Sequence, residues 1–172
     1  MELLDVYDDN GKPTSKVVKR GSGDEVFEKG EHIAVAIIFI QNSKGEFLIQ
    51  RTSKEKGGLY SSTGGHVDHG ETPDKAIIRE VKEEIGIDIS KDKVVSLGYR
   101  LVDFPVRFLY YLKKDIELKD LIVDPLEVEH VSYMSPEFIE GIIEKGLMNK
   151  GHALMYKEVL KYLGGKNGKE KN

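Results

Sequence analysis

Residues 64–87, GGHVDHGETPDKAIIREVKEEIGI, run from a glycine-rich loop into a segment that crowds Glu80, Glu83 and Glu84 together. Thr72 followed by Pro73 is a helix start: the hydroxyl can cap, and proline at the first helical position lacks only an N–H that has no partner there. The spacing predicts a helix from about 73 to 85, stopped by Gly86. At about 100° per residue, Ile77, Ile78, Val81 and Ile85 share one face, with Lys75, Arg79 and Lys82 roughly opposite. The glutamates take the remaining side, and Glu84 borders the apolar stripe beside Ile77. Like charges a turn apart cost only about 0.2–0.5 kcal/mol per pair, so the cluster is tolerable as a solvated face. It reads differently because a glycine-rich loop comes immediately before it. Loop carbonyls and three carboxylates then converge on one point, and such oxygen groups bind hard divalent cations. Mg²⁺ or Mn²⁺ turns the repulsion into attraction, and phosphate oxygens complete the coordination, which points to phosphoryl chemistry.

Upstream, LLDVYDDNGKPTSKVVKR carries two extended runs around Asp-Asn-Gly-Lys-Pro and is expected to form a strand pair. HIAVAIIFI, the turn NSKGE and FLIQR read as a buried hairpin, rich in β-branched residues. Phe47 belongs to its core, and His32 is expected to be a satisfied core residue. Downstream, KVVSLGYRLVDFPVRFLYYLKK reads as two strands hinged near Pro105, and LEVEHVSYM as another. Ser135-Pro136 starts a second helix, ALMYKEVLKYLG a C-terminal one. The expected class is α/β, with one domain over 1–164 that includes an N-terminal extension at 1–30, and a flexible tail at 165–172.

The chain has 172 residues, 39% of them hydrophobic, enough for one sizeable core. A net charge of -4 argues against binding duplex nucleic acid. The opening MELLDVYDDNGK lacks the basic flank and apolar core of a signal peptide, and IAVAIIFI is far too short to span a bilayer. The expectation is a cytoplasmic protein with no membrane partner. Absence of cysteine rules out disulfides, a thiolate nucleophile and cysteine-ligated zinc.

Gly65, five residues, Glu71, seven residues, then Arg79-Glu80-Val81-Lys82-Glu83-Glu84-Ile85-Gly86-Ile87 resembles the signature of the Nudix hydrolases at every fixed position. At average residue frequencies a chance match in a chain of this length is on the order of one in ten million. The resemblance implies an α/β/α sandwich with a mixed β-sheet, here with an N-terminal β-hairpin and a C-terminal helix. It implies Mg²⁺-dependent hydrolysis of a nucleoside diphosphate derivative or related small-molecule diphosphate. Glu80, Glu83 and Glu84 are then the metal-binding acids, with the Gly64 carbonyl a further ligand. Gly65, Glu71 and Arg79 brace the loop against the helix. The general base is Glu84 or an acid outside the signature, Glu127. Arg51, Lys54 and Lys56 are candidates to grip phosphates, and Tyr60 to stack on a base or line an apolar pocket. His66 reads either as a hydrogen-bonding residue or as a metal ligand.

The opening segment, with His32, Gln50-Arg51 and Gly65-His66, also resembles the isopentenyl diphosphate isomerase branch of the superfamily. Those enzymes carry a cysteine where this chain has Gly64, so hydrolysis is the leading reading. The alternatives are an isomerase-like enzyme and a non-catalytic nucleotide-binding module. The N-terminal hairpin is expected either to cover the substrate pocket or to support a homodimer.

Overall fold

The computed structural model describes residues 2–171, with side chains through Gly165. Its elements in chain order are β1 (Leu3–Tyr7), β2 (Pro13–Lys19), β3 (Ala34–Gln41), β4 (Phe47–Thr52), β5 (Tyr60–Ser61), β6 (Thr63–His66), α1 (Pro73–Ile85), β7 (Val95–Leu101), β8 (Val106–Lys113), β9 (Val128–Met134), α2 (Pro136–Glu144) and α3 (Lys150–Lys171). The run AVAIIFIQ of β3 is apolar on both faces, and a strand of that kind belongs in the middle of a covered sheet. It lies at the centre of the order β5-β4-β3-β8-β7, with β6 also on β3 and β9 on β4. The β3–β8 pair is parallel and the others are antiparallel, so the sheet is mixed. Ala34, Ala36 and Ile38 pack on one face with Ile77, Val81 and Ile85 of α1. Ile37 and Phe39 pack on the other with Ile139 of α2 and Met155, Tyr156 and Val159 of α3. This is the α/β/α sandwich expected.

One expectation needs correction. HIAVAIIFI and FLIQR form a hairpin only at its turn, where Gln41 faces Phe47. Beyond that point β3 gives its edges to β8, over Ala34–Gln41, and to β6. β4 turns away to pair with β9 over nearly its whole length. Two long apolar strands gain more from lying side by side in the core than from a local hairpin. The segment 60–66 enters the opening and switches partners: Tyr60 and Ser61 pair with β4, Thr63 to His66 with β3. The amides at the switch are taken by side chains, Ser62 N–H by His152 Nδ1 at 3.2 Å and Gly64 N–H by Glu84 Oε1 at 3.3 Å.

β1 and β2 form the expected separate ribbon, tightened at its turn by Asp8 Oδ1, which accepts from the Asn10 and Lys12 amides. Reciprocal backbone bonds join Tyr7 to His32. The ring of His32 contacts the Phe104 carbonyl and Asp9 Oδ1 and is satisfied as expected, but the residue is only partly buried and lies beside the core rather than in it. The Asp5 carboxylate accepts from His69 Nδ1 at 2.7 Å and from the Gly70 amide at 3.0 Å. The ribbon is thereby fastened to the loop that leads into α1.

The first helix occupies the predicted span. Thr72 Oγ1 accepts from the Lys75 amide, Pro73 opens the helix and Gly86 closes it at φ 74°. Ala76 joins the buried face, and Ile78 is only partly buried at its edge. α3 starts at Lys150, before the expected ALMYKEVLKYLG, because Asn149 Oδ1 caps the amides of Gly151 and His152. Of the tail expected at 165–172, only Gly165 falls among residues whose side chains are described. Loss of the Thr72 cap in Thr72→Ala is expected to lower unfolding free energy by about 0.5–2 kcal/mol; urea denaturation measures it, and an unchanged midpoint would contradict the capping role.

Candidate active site

Arg79 projects from α1 toward the loop before it, and all five of its guanidinium N–H donors are engaged. Nε and Nη2 hold the Glu71 carboxylate bidentately at 2.7 and 2.9 Å. Nη2 also donates to the His66 carbonyl at 3.0 Å, and Nη1 to Glu80 Oε1 at 2.9 Å and Glu83 Oε2 at 3.1 Å. One side chain thus clamps the loop, the end of β6 and two acids of the helix. The hydrogen bonds it donates to Glu71 and the charges of the surrounding carboxylates push the Arg79 pKa up against the opposing effect of burial. Glu71 titrates below its usual range: burial opposes this, but the Arg79 and Asp68 hydrogen bonds and the Arg79 charge prevail. Gly65 is glycine for a packing reason, since a Cβ there would overlap the Glu80 carboxylate.

Glu84 lies one turn on. Its Oε2 accepts from Gln50 Nε2 at 2.6 Å and its Oε1 from the Gly64 amide, so it bridges β4 and β6 where they lack a common ladder. Burial pushes its pKa up to about 7; the Gln50 and Gly64 hydrogen bonds resist the rise, while the charges of Glu80 and Glu127 add to it. Burial raises Glu80 as well, against the pull of Arg79. Gln50 is 6% exposed, and its Oε1 has no partner among the described residues. Gly64 leaves no room for any side chain, because a Cβ would overlap the Ala36 carbonyl.

These groups open onto a cleft of about 600 Å³. Glu80, Glu83, Glu84, Gly64, Gly65, His66 and Arg79 all line it, and Glu127 faces them from the loop before β9. Glu2 and Arg20, paired at 2.6 Å at the open end of the ribbon, form part of the wall. The hairpin therefore borders the cleft. Arg51, Lys54 and Tyr60 do not line it: Arg51 stacks on the Tyr60 ring at 5.1 Å, next to His130. Of the three cations read as phosphate contacts, Lys56 lines the cleft, as does Thr52, and Arg51 and Lys54 do not. Sequence reading also passed over Gln50 and His152 as parts of the site. A polar residue inside FLIQR was a usable signal for the first. His152 shares an apolar helix face with Met155, Tyr156 and Val159 and gave none.

The donors suited to a cation are carboxylate oxygens, 14% exposed at Glu80 and 59% at Glu83, a set that fits Mg²⁺ or Mn²⁺ rather than a softer metal. Among the described residues no three acidic or histidine side chains stand at ligand spacing. Arg79 Nη1 lies between Glu80 and Glu83 and holds the place of a cation there. Glu83 is the more exposed partner. His66, whose pKa is lowered by burial and then by the Arg20 charge, offers a neutral ring at the cleft wall.

A family model described as NUDIX domain matches residues 30–159. A Listeria innocua chain described as an uncharacterized Nudix hydrolase is 34% identical over 154 residues, which span 85% of this chain and 87% of that one. An isopentenyl-diphosphate Delta-isomerase of Corynebacterium diphtheriae is 37% identical over 111 residues, 62% of this chain and 58% of that one. A crystal structure from Deinococcus radiodurans superposes with a TM-score of 0.75 at 22% identity, covering 91% of this chain and 98% of that one, a likeness of fold.

The Glu84 pKa fixes the sign of a stability effect. A carboxyl whose folded pKa lies above its unfolded value stabilises the fold fully below about pH 4.5, and that contribution is lost as pH rises toward about 7. Metal-free Glu84→Gln is therefore expected to be more stable than the wild type at pH 8 by roughly 1–3 kcal/mol, with the gain shrinking toward pH 5. Urea denaturation in chelator at both pH values checks this; a pH-independent difference would show that Glu84 is not strained by its burial.

Proposed function

The chain belongs to the Nudix family, and from that premise we propose that it hydrolyses a diphosphate linkage in a nucleoside diphosphate derivative or related small molecule, using Mg²⁺ or Mn²⁺ and attack of water at phosphorus. The observation that carries this reading is the pair Glu80 and Glu84, two carboxylates drawn into one cleft with raised proton affinity and only part of their charge answered by the fold. Glu80, Glu83 and Glu84, with the Gly64 carbonyl, would hold the metal, which when bound neutralises diphosphate charge and polarises the phosphoryl oxygens. Arg79 and Glu71 keep Glu80 in position. Glu127 takes the proton of the attacking water: both oxygens of Glu84 already accept hydrogen bonds, whereas among the described residues the Glu127 carboxylate meets only Lys56, at 3.6 Å. Lys56 and Arg20, on the cleft wall, are placed to meet phosphate oxygens.

The identity to an isomerase calls for a comparison of the two chemistries. Position 64, where the resemblance asks for a cysteine, is a glycine whose missing Cβ would overlap backbone, so no proton-transferring side chain fits there without a shift of β3. Hydrolysis needs no group at that position.

Turnover of a diphosphate panel is expected with Mg²⁺ and not in chelator. Glu80→Gln and Glu84→Gln should each lower kcat/KM by about 100-fold or more. Glu127→Gln should lower kcat by about 10²–10⁴-fold with little change in KM. Metal-independent turnover, or wild-type rates in the variants, would sink the reading. Tight nucleotide binding without turnover would favour a binding module instead, and double-bond migration in a prenyl diphosphate an isomerase.

A further inference from the structure

Beside the cleft lies a second pocket of about 230 Å³, under the first turn of α3. The two share Gly64, Gly65, His66, Asn149 and His152, so they are continuous. Their charge is segregated. Seven carboxylates line the cleft and none lines the pocket, whose ionisable groups are Arg107, His66 and His152. The volume is below the roughly 300–1,000 Å³ of pockets that enclose a whole small molecule, so it suits one end of a ligand that continues into the cleft.

Arg107 is the feature that demands an explanation. On β8 it precedes Leu109 and Tyr111 on the face turned to α3, a row that is otherwise apolar, and it lies beside Val35 of β3. It is half-buried, and among the described residues the one hydrogen bond of its side chain is to the Val102 carbonyl. No carboxylate among the described residues pairs with it, and burial lowers its pKa while Asp103 acts only through its charge. An arginine held on an inward face without an anion is costly. The fold even makes room for it: a Cβ on Gly151 would come within 2.9 Å of its Nε and Nη2. His152 stands alongside with Nδ1 committed to the amide and hydroxyl of Ser62, which leaves Nε2–H as a donor.

We propose that this pocket binds an anionic group of the substrate, a phosphate or a carboxylate, with Arg107 as its ligand and His152 beside it. The preferred substrates are then diphosphates that carry a further anion beyond the linkage being cleaved. This rests on the hydrolase reading above and narrows its substrate class.

Matched pairs test it: coenzyme A against dephospho-coenzyme A for a phosphate, and UDP-glucuronate against UDP-glucose for a carboxylate, each with Mg²⁺. In the wild type the anionic member of at least one pair is expected to be favoured in kcat/KM by roughly tenfold or more, chiefly through KM. The pair that responds identifies the group. Arg107→Gln, which keeps an amide able to reach the Val102 carbonyl, should bring that ratio to within about twofold, and Arg107→Lys should restore part of it. Because the readout is a ratio, any general loss of activity cancels. Ratios near one in the wild type, or a preference that survives Arg107→Gln, overturn the pocket and leave the hydrolase reading intact. If neither pair is hydrolysed, titration calorimetry with inorganic phosphate decides: binding lost in Arg107→Gln supports the pocket, and equal or absent binding in both proteins overturns it. Failure of the hydrolase reading is distinct, being the absence of Mg²⁺-dependent turnover across the whole diphosphate panel.

Discussion

The site depends on the Arg79 guanidinium more than on any other group. Its five donors reach acceptors on the loop, on β6 and on the helix that bears it, so three separate pieces of chain share one rigid plane. A lysine would supply the charge without the fork. The clamp also explains how Glu80 and Glu83 stand close together on one helix: their repulsion is answered by an internal cation.

The second constraint comes from the sheet. β3 and β4 part after their turn, and the segment 60–66 fills the opening by pairing first with one and then with the other. Backbone amides released at such a switch must find other partners. They find them on opposite sides of the sheet, Glu84 from α1 and His152 from α3. The irregularity that breaks the ladder is thus what anchors two cleft-lining side chains, and a fully paired sheet would leave Glu84 without its Gly64 contact.

Much of this was legible in the sequence. The bounds of α1, its caps and the Arg79–Glu71 pairing followed from local rules and from the signature, because each involves residues close together in the chain. The α/β class followed from hydrophobic period, and the α/β/α layering from the resemblance to the Nudix family. What escaped reading was non-local: β4 leaving β3, Gln50 reaching Glu84 across 34 positions, and Arg107 ending beneath a helix that begins more than forty residues later. Arg51 and Tyr60 were misread as cleft residues because their chemistry suits phosphates and bases, but their register on β4 and β5 sets them against each other. Residue type suggested a role that strand geometry withheld.

The partner switch at residues 62–64 also acts as a ruler. Alternate residues of an extended strand are about 6.5–7 Å apart, so the amides that hold His152 and Glu84 are separated by that fixed interval on one short piece of backbone. On the proposal that one ligand spans both pockets, a molecule lying across β6 would be measured against a length the chain cannot easily stretch. Selection among otherwise similar molecules would then turn on how far apart their two charged ends lie as well as on which groups they carry.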